Sequence, residues 1–175
     1  KKDNKIKLGH CGTLDPFAEG ILIICSGIEL KNVSNYMSLT KTYKTEILFG
    51  SETDTLDPTG KVIKNIDTNP KITQVDIKKI MNTFKDNYIQ SPPYYSAKKI
   101  NGVRMYKYAR QNIFIRPKGT KVIIYSYKII DFTNRCLKLE ISCGPGMYVR
   151  SLARDIAYEL NTYAYVNKLI RTKIG

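Results

Sequence analysis

The chain has 175 residues, 42% of them hydrophobic, which suffices for one sizeable core and a single domain. Lysine and arginine total 29 against 15 acidic residues; the resulting charge of +14 argues for a polyanionic partner, and 13 tyrosines add stacking surfaces for bases. No apolar run is long enough for a membrane span, and four cysteines without a Cys-x-x-Cys pair, beside one histidine, argue against zinc and a disulfide-stapled secreted fold.

The chain opens at Lys1 without a methionine, so it reads as an excerpt of a longer protein. Ile21-Leu22-Ile23-Ile24-Cys25 reads as a buried strand stopped by Ser26-Gly27, and Ile28 to Leu39 as a short helix. Thr42 to Gly50 alternates as a strand with Tyr43, Thr45, Ile47 and Phe49 on one side. Ser51 to Gly60 reads as a polar loop closed by Asp57-Pro58-Thr59-Gly60. Thr73 with Asp76 forms a capping box for a helix to Phe84, whose apolar positions are Ile77, Ile80, Met81 and Phe84. Gln90-Ser91-Pro92-Pro93 breaks the chain before a basic, aromatic stretch with a short helix near Val103 to Gln111. Lys121 to Asp131, then Leu137, Leu139 and Ile141, form a hairpin across Thr133-Asn134-Arg135. Val149, Leu152, Ala153, Ile156 and Leu160 make one stripe on a helix from Met147 to Leu160. Strands broken by a few helices imply an α+β fold, with helices packed on a mixed, mainly antiparallel sheet.

Charge alone does not decide function, because the codons of an AT-rich genome also raise lysine, asparagine, isoleucine and tyrosine. The motifs decide it. Gly9-His10-Cys11-Gly12-Thr13-Leu14-Asp15-Pro16-Phe17, followed by Ala18-Glu19-Gly20-Ile21-Leu22, sets a carboxylate on a loop beside a strand. An isolated Leu-Asp-Pro is ordinarily a turn. Thr-Leu-Asp-Pro occurs again at Thr55 to Pro58 without the preceding Gly-His-x-Gly, so Asp57 reads as a turn residue and Asp15 as a nucleophile.

The first of these stretches resembles, without a gap, the active-site motif of the TruB-type tRNA pseudouridine synthases, Gly-His-x-Gly-Thr-Leu-Asp-Pro-x-Ala-x-Gly-x-Leu. The resemblance continues in order to Gly175. It implies that Asp15 assists glycosidic cleavage, and that His10 wedges into the RNA where the flipped uridine left its place. Tyr43, in Lys41-Thr42-Tyr43-Lys44, matches the tyrosine that stacks on the target base and is implicated in proton removal. A phenol near its ordinary pKa is a poor base, so the site must assist it. Tyr148 and Arg150, in Gly144-Pro145-Gly146-Met147-Tyr148-Val149-Arg150, match the pair that lines the uridine pocket, where the arginine pairs with the catalytic aspartate. Such a guanidinium favours the carboxylate form and fixes its rotamer. Leu169, in Leu169-Ile170-Arg171-Thr172, matches a pocket leucine.

Ser91 to Tyr106 resembles the family's thumb-like insertion, which closes over the tRNA T-loop. It implies that Lys98, Lys99 and Arg104 contact the RNA backbone. The expected organisation is a pseudouridine synthase catalytic domain over residues 1–175 with the insertion at 91–116. The family's first strand and its C-terminal RNA-binding domain are expected outside this excerpt. The implied reaction is isomerisation of the T-loop uridine of tRNA, without cofactor or metal, by an intracellular and monomeric protein, in the cytoplasm or in an organelle. A guide-RNA-dependent synthase, a non-catalytic RNA-binding module and a nucleoside or glycoside hydrolase are the alternatives. The last would want a second carboxylic acid, and the sequence offers no clear one.

Overall fold

The computed structural model describes residues 6–68, 70–115 and 117–175. In chain order the elements are β1 (Leu8–His10), β2 (Glu19–Gly20), β3 (Ile24–Ser26), a 3-10 helix (Gly27–Asn32), α1 (Val33–Ser38), β4 (Lys41–Phe49), β5 (Ser51–Thr53) and β6 (Val62–Asn65). There follow α2 (Gln74–Asp86), β7 (Tyr88–Gln90), β8 (Lys99–Ile100), β9 (Val103–Arg104), α3 (Met105–Ala109), β10 (Thr120–Val122), β11 (Ile124–Thr133), β12 (Cys136–Cys143), α4 (Val149–Glu159) and β13 (Ala164–Ile174). The fold is α+β. Its main sheet has five strands in the order β11-β12-β4-β13-β2, antiparallel except where β2 runs parallel to β13.

Period-two alternation settles which face of this sheet is dry. Ile47, Leu137, Leu139 and Ile141 point to one side, with Ile47 opposite Leu137 and Tyr43 opposite Ile141. Onto that side pack α2, through Ile77 and Met81, and α4, through Leu152, Ala153 and Ile156. Helix α2 begins where the sequence indicates. The Thr73 hydroxyl accepts from the Asp76 N–H, and the Asp76 carboxylate accepts from the Thr73 N–H. The strand and helix that flank the site, β4 and α4, likewise lie within one or two residues of the ranges expected from periodicity.

Three expectations are corrected. Ile21 to Cys25 is not a buried strand: only Ile24–Ser26 is extended, and Ile21, Leu22 and Ile24 are exposed. This strand, β3, pairs with β1 alone, in a two-stranded ribbon whose outer side nothing in the described residues covers. Cys25 is its one buried residue, in thiol contact with Cys11 at 3.3 Å. The stretch from Ser51 is not wholly loop, because β5 and β6 pair as a hairpin; Ser51-Glu52-Thr53 is too polar to announce itself as a strand. The short helix near Val103 is confined to Met105–Ala109, because Val103 and Arg104 pair with Ile100 and Lys99. Asn101 and Gly102, both at positive φ, make the two-residue turn that this hairpin requires.

Candidate active site

The loop between β1 and β2 carries Asp15. Its Pro16-Phe17 turn is closed by a hydrogen bond from the Ala18 N–H to the Asp15 carbonyl, and Phe17 and Ala18 pack against the core. The Asp15 carboxylate is about a quarter exposed, with its side chain at 28% accessibility. It faces the N-terminal turn of α4. Arg150 Nε donates to Asp15 Oδ2 at 2.8 Å and Arg150 Nη2 to Asp15 Oδ1 at 2.6 Å, a fork that fixes both carboxylate oxygens at once.

Arg150 is itself buried and saturated. Its Nη1 donates to the Thr55 carbonyl at 2.6 Å, and its Nη2 donates to the Tyr95 carbonyl at 3.0 Å. One guanidinium therefore gathers the Asp15 loop, the β5–β6 loop and the start of the insertion around the first turn of α4. A lysine, with a single ammonium centre, could not reach these divergent acceptors.

The structure brings Tyr148 and Tyr43 toward the same centre. Tyr148 precedes α4, and buried Gln90 holds its backbone from both sides: Gln90 Oε1 accepts from the Tyr148 N–H at 2.7 Å, and Gln90 Nε2 donates to the Tyr148 carbonyl at 3.1 Å. Burial raises the pKa of its phenol, while the nearby Ser96 and the charge of Arg150 oppose the rise. Tyr43 lies near the start of β4, opposite Arg171 on β13 and Ile141 on β12. Burial raises its pKa as well, and the neighbouring Arg171 works against that rise. Leu169, opposite Thr45, is a core residue on the same side of β13 as Arg171, two positions along from it.

The other residues singled out lie at the surface. His10 ends β1 and is exposed, opposite Ile24. Lys99 and Arg104 are exposed partners across the β8–β9 hairpin, and Lys98 beside them is half-buried. Lys98 supplies the carbonyl that accepts from the Met105 N–H at 2.8 Å. Tyr94 meets Phe114 edge-on at 5.3 Å within the same stretch, and Arg116, the last residue assigned to the insertion, lies outside the described residues.

Two residues beyond those expected belong to the site. Asp57 is a turn residue, as expected, for its Oδ1 accepts from the Thr59 N–H at 3.0 Å and from the Thr55 hydroxyl at 2.7 Å. But it is buried, and its Oδ2 stands 3.4 Å from Arg150 Nη1, so Arg150 lies between two aspartates. The repeat of Thr-Leu-Asp-Pro was the available signal: the second copy carries the second carboxylate. Replacing Asp57 by Asn keeps an acceptor for the turn but removes this charge and loosens Arg150. The expected result is a 10- to 100-fold lower single-turnover rate, or roughly 1.4–2.7 kcal/mol, with the melting temperature lowered by only a few degrees. The second is Arg171, the largest fully buried side chain in the molecule's described residues, which carries no signal beyond its place in the Leu-x-Arg-Thr segment. A cavity of about 460 Å³, lined by Lys71, Ile80, Phe84 and Leu160 among others, shares none of these residues.

Comparison with known proteins assigns the family. The sequence profile of the TruB family pseudouridylate synthase (N terminal domain) matches residues 1–149. A tRNA pseudouridine synthase B of Borreliella burgdorferi is 44% identical over 174 residues, covering 98% of this chain and 61% of that protein. Its counterpart from Bordetella avium is 36% identical over 170 residues, covering 97% of this chain and 70% of the relative. The chain thus spans about three-fifths of the length of its Borreliella relative. A chain of the crystal structure of a Cbf5–Nop10–Gar1 complex superposes with a TM-score of 0.68 at 22% identity, covering 97% of this chain and 40% of that one, and shows the shared fold. By profile, by identity and by the motif that carries Asp15, this chain belongs to the TruB family of pseudouridylate synthases.

Proposed function

We propose that residues 1–175 form the catalytic domain of a tRNA pseudouridine synthase that isomerises the T-loop uridine, with residues 91–116 as the thumb that closes over the RNA. The observation that carries this reading is the forked Asp15–Arg150 pair, which holds a partly exposed carboxylate rigidly on a loop. Asp15 attacks the flipped nucleoside, the bond between C1′ and N1 breaks, and uracil turns in the pocket. C5 then bonds C1′, the bond to Asp15 breaks, the C5 proton leaves to a base, and N1 takes up a proton. Reactant and product have the same atoms, so the chemistry requires no group donor. In this reading Tyr43 stacks on the base and takes part in the final proton transfer. Because burial disfavours its phenolate, the guanidinium of Arg171 beside it is the assistance such a base requires. His10, exposed at the entrance to the loop, is free to occupy the place vacated by the flipped base.

The test is tritium release from T-stem-loop RNA labelled at uridine C5, with the full-length parent protein and this chain side by side and neither guide RNA nor partner protein added. Release establishes a stand-alone synthase; release only with a guide RNA assigns the guided kind. Free uracil among the products assigns a hydrolase. The thumb makes a separate prediction. Removing Lys98, Lys99 and Arg104 together by alanine substitution should weaken binding to any stem-loop sequence. The plot of log Kd against log salt should become shallower by about two to three, while the rate at saturating RNA stays within about threefold. An unchanged salt slope in filter binding would place the RNA elsewhere.

A further inference from the structure

We propose that Arg171 is a positioning residue that sets the Asp15 loop against Tyr43, so that nucleophile and base meet the same nucleoside. The inference rests on the function proposed above. Its observations are independent of the Arg150 fork. Arg171 Nε donates to the Ile21 carbonyl at 2.7 Å, and Arg171 Nη2 donates to the Gly12 carbonyl at 3.1 Å. These two carbonyls lie on either side of Asp15, three residues before it and six after. The main chain of Arg171 adds a third tie, accepting from the Ile21 N–H at 2.9 Å.

The loop is shaped to receive this arginine. Gly20, at φ +105°, sits opposite Arg171 where β2 meets β13, and a Cβ there would collide with the Arg171 backbone. Gly12, also at φ +105°, lies with its open side toward Arg171 Nη1 and the Lys41 side chain. Across the sheet the partner of Arg171 is Tyr43. One side chain thus touches both ends of the loop that holds the nucleophile and stands beside the phenol.

Packing alone is a poor explanation for this arrangement. Arg171 is 1% exposed, and among the described residues no carboxylate forms an ion pair with it. Lys41, another buried cation, lies next to it and caps the carbonyls of Met37 and Leu39 at 2.5 and 2.7 Å. Two buried cations side by side are a costly way to fill a core, where a leucine or methionine would pack as well without desolvation. Their presence has a reason if the guanidinium orients the loop and also sets a positive charge beside the phenol.

The experiment compares wild type, Arg171→Lys and Arg171→Met in the full-length protein. It measures melting temperature, Kd for T-stem-loop RNA, single-turnover tritium release against pH, and amide hydrogen exchange. The expected result is folded variants with Kd within about threefold of wild type. Release should fall about 100-fold, the loss that a displacement near one ångström can cause. Its pH profile should move to the alkaline side, because the phenol has lost the neighbouring guanidinium that favoured its ionised form. Exchange should quicken at Ala18 and Ile21 but not in α4, and free guanidinium should restore part of the rate of Arg171→Met. A folded Arg171→Lys protein with a rate within threefold of wild type and an unmoved pH profile overturns the role of Arg171 while leaving the proposed function intact. Wild-type protein that binds the RNA and releases no tritium overturns the function, and this role with it.

Discussion

Asp15→Asn is expected to abolish tritium release, lowering the single-turnover rate by about 10⁴-fold or more, equivalent to at least roughly 5.5 kcal/mol of transition-state stabilisation. The substitution is close to isosteric. Its amide oxygen can still accept from the Arg150 fork, so the loop and the first turn of α4 should keep their geometry. What disappears is the proposed nucleophile, because a neutral amide cannot attack as a carboxylate does. Kd for the T-stem-loop should therefore stay within a few-fold of wild type, and the melting temperature within a few degrees. The pairing of lost rate with retained binding is the informative part. An Asp15→Asn protein that releases tritium within tenfold of wild type would show that another group begins the reaction.

Arg150→Ala should lose both rate and stability, and the two losses should separate on adding a second substitution. Removing the guanidinium strands Asp57 in a buried position and frees the Asp15 carboxylate from its fork. It also leaves the carbonyls of Thr55 and Tyr95 without this donor. Breaking a buried pair from one side costs about 3–5 kcal/mol, so thermal unfolding should begin roughly 10 °C lower. The rate should fall about 10³-fold, because the nucleophile is no longer oriented. Arg150→Ala combined with Asp57→Asn should recover a substantial part of the melting temperature, since the stranded charge is gone, and none of the rate. Calorimetry together with single-turnover release reads both quantities. Arg150→Lys tests the fork itself: it keeps a positive charge, yet should remain at least tenfold slow, because an ammonium cannot bind both Asp15 oxygens in a plane.

The hydrogen bonds around Gln90 show how such a site is kept in place from a distance. Gln90 ends β7, far in sequence from α4, and its side chain meets both backbone groups of Tyr148. Its Nε2 also donates to the Tyr88 hydroxyl at 2.9 Å, and that hydroxyl donates to Asp155 on α4 at 2.7 Å. Helix α4 is tied to β7 at two points, and the first is at the turn that presents Arg150. Position of the guanidinium is thus a property of the whole α4–β7 contact.

Much of this molecule follows from local pattern. The capping box of Thr73 and Asp76, the alternation of β4 and β12, and the apolar stripe of α4 each act within a turn or a pleat, so their elements are legible residue by residue. The motif around Asp15 is legible for the same reason, being contiguous. The exposed ribbon of β1 and β3 was not legible, because Ile21 to Ile24 are apolar whether or not a second layer covers them. The β8–β9 hairpin is too short for periodicity to register; only the Asn101-Gly102 turn marks it.

The sequence by itself determined the fold class, the family and the residues proposed for the reaction. Tertiary structure alone decided which charges face one another. Asp57 and Asp15 stand in the same four-residue context, and Arg171 lies 156 positions from Asp15 in a segment that reads as an ordinary basic strand. Their roles come from α4 and β13 converging on one loop, so that a single buried guanidinium lies between two carboxylates and another bridges two carbonyls. Burial gives these contacts their strength, and burial is a property of the packed sheet and helices, which no short stretch of sequence contains.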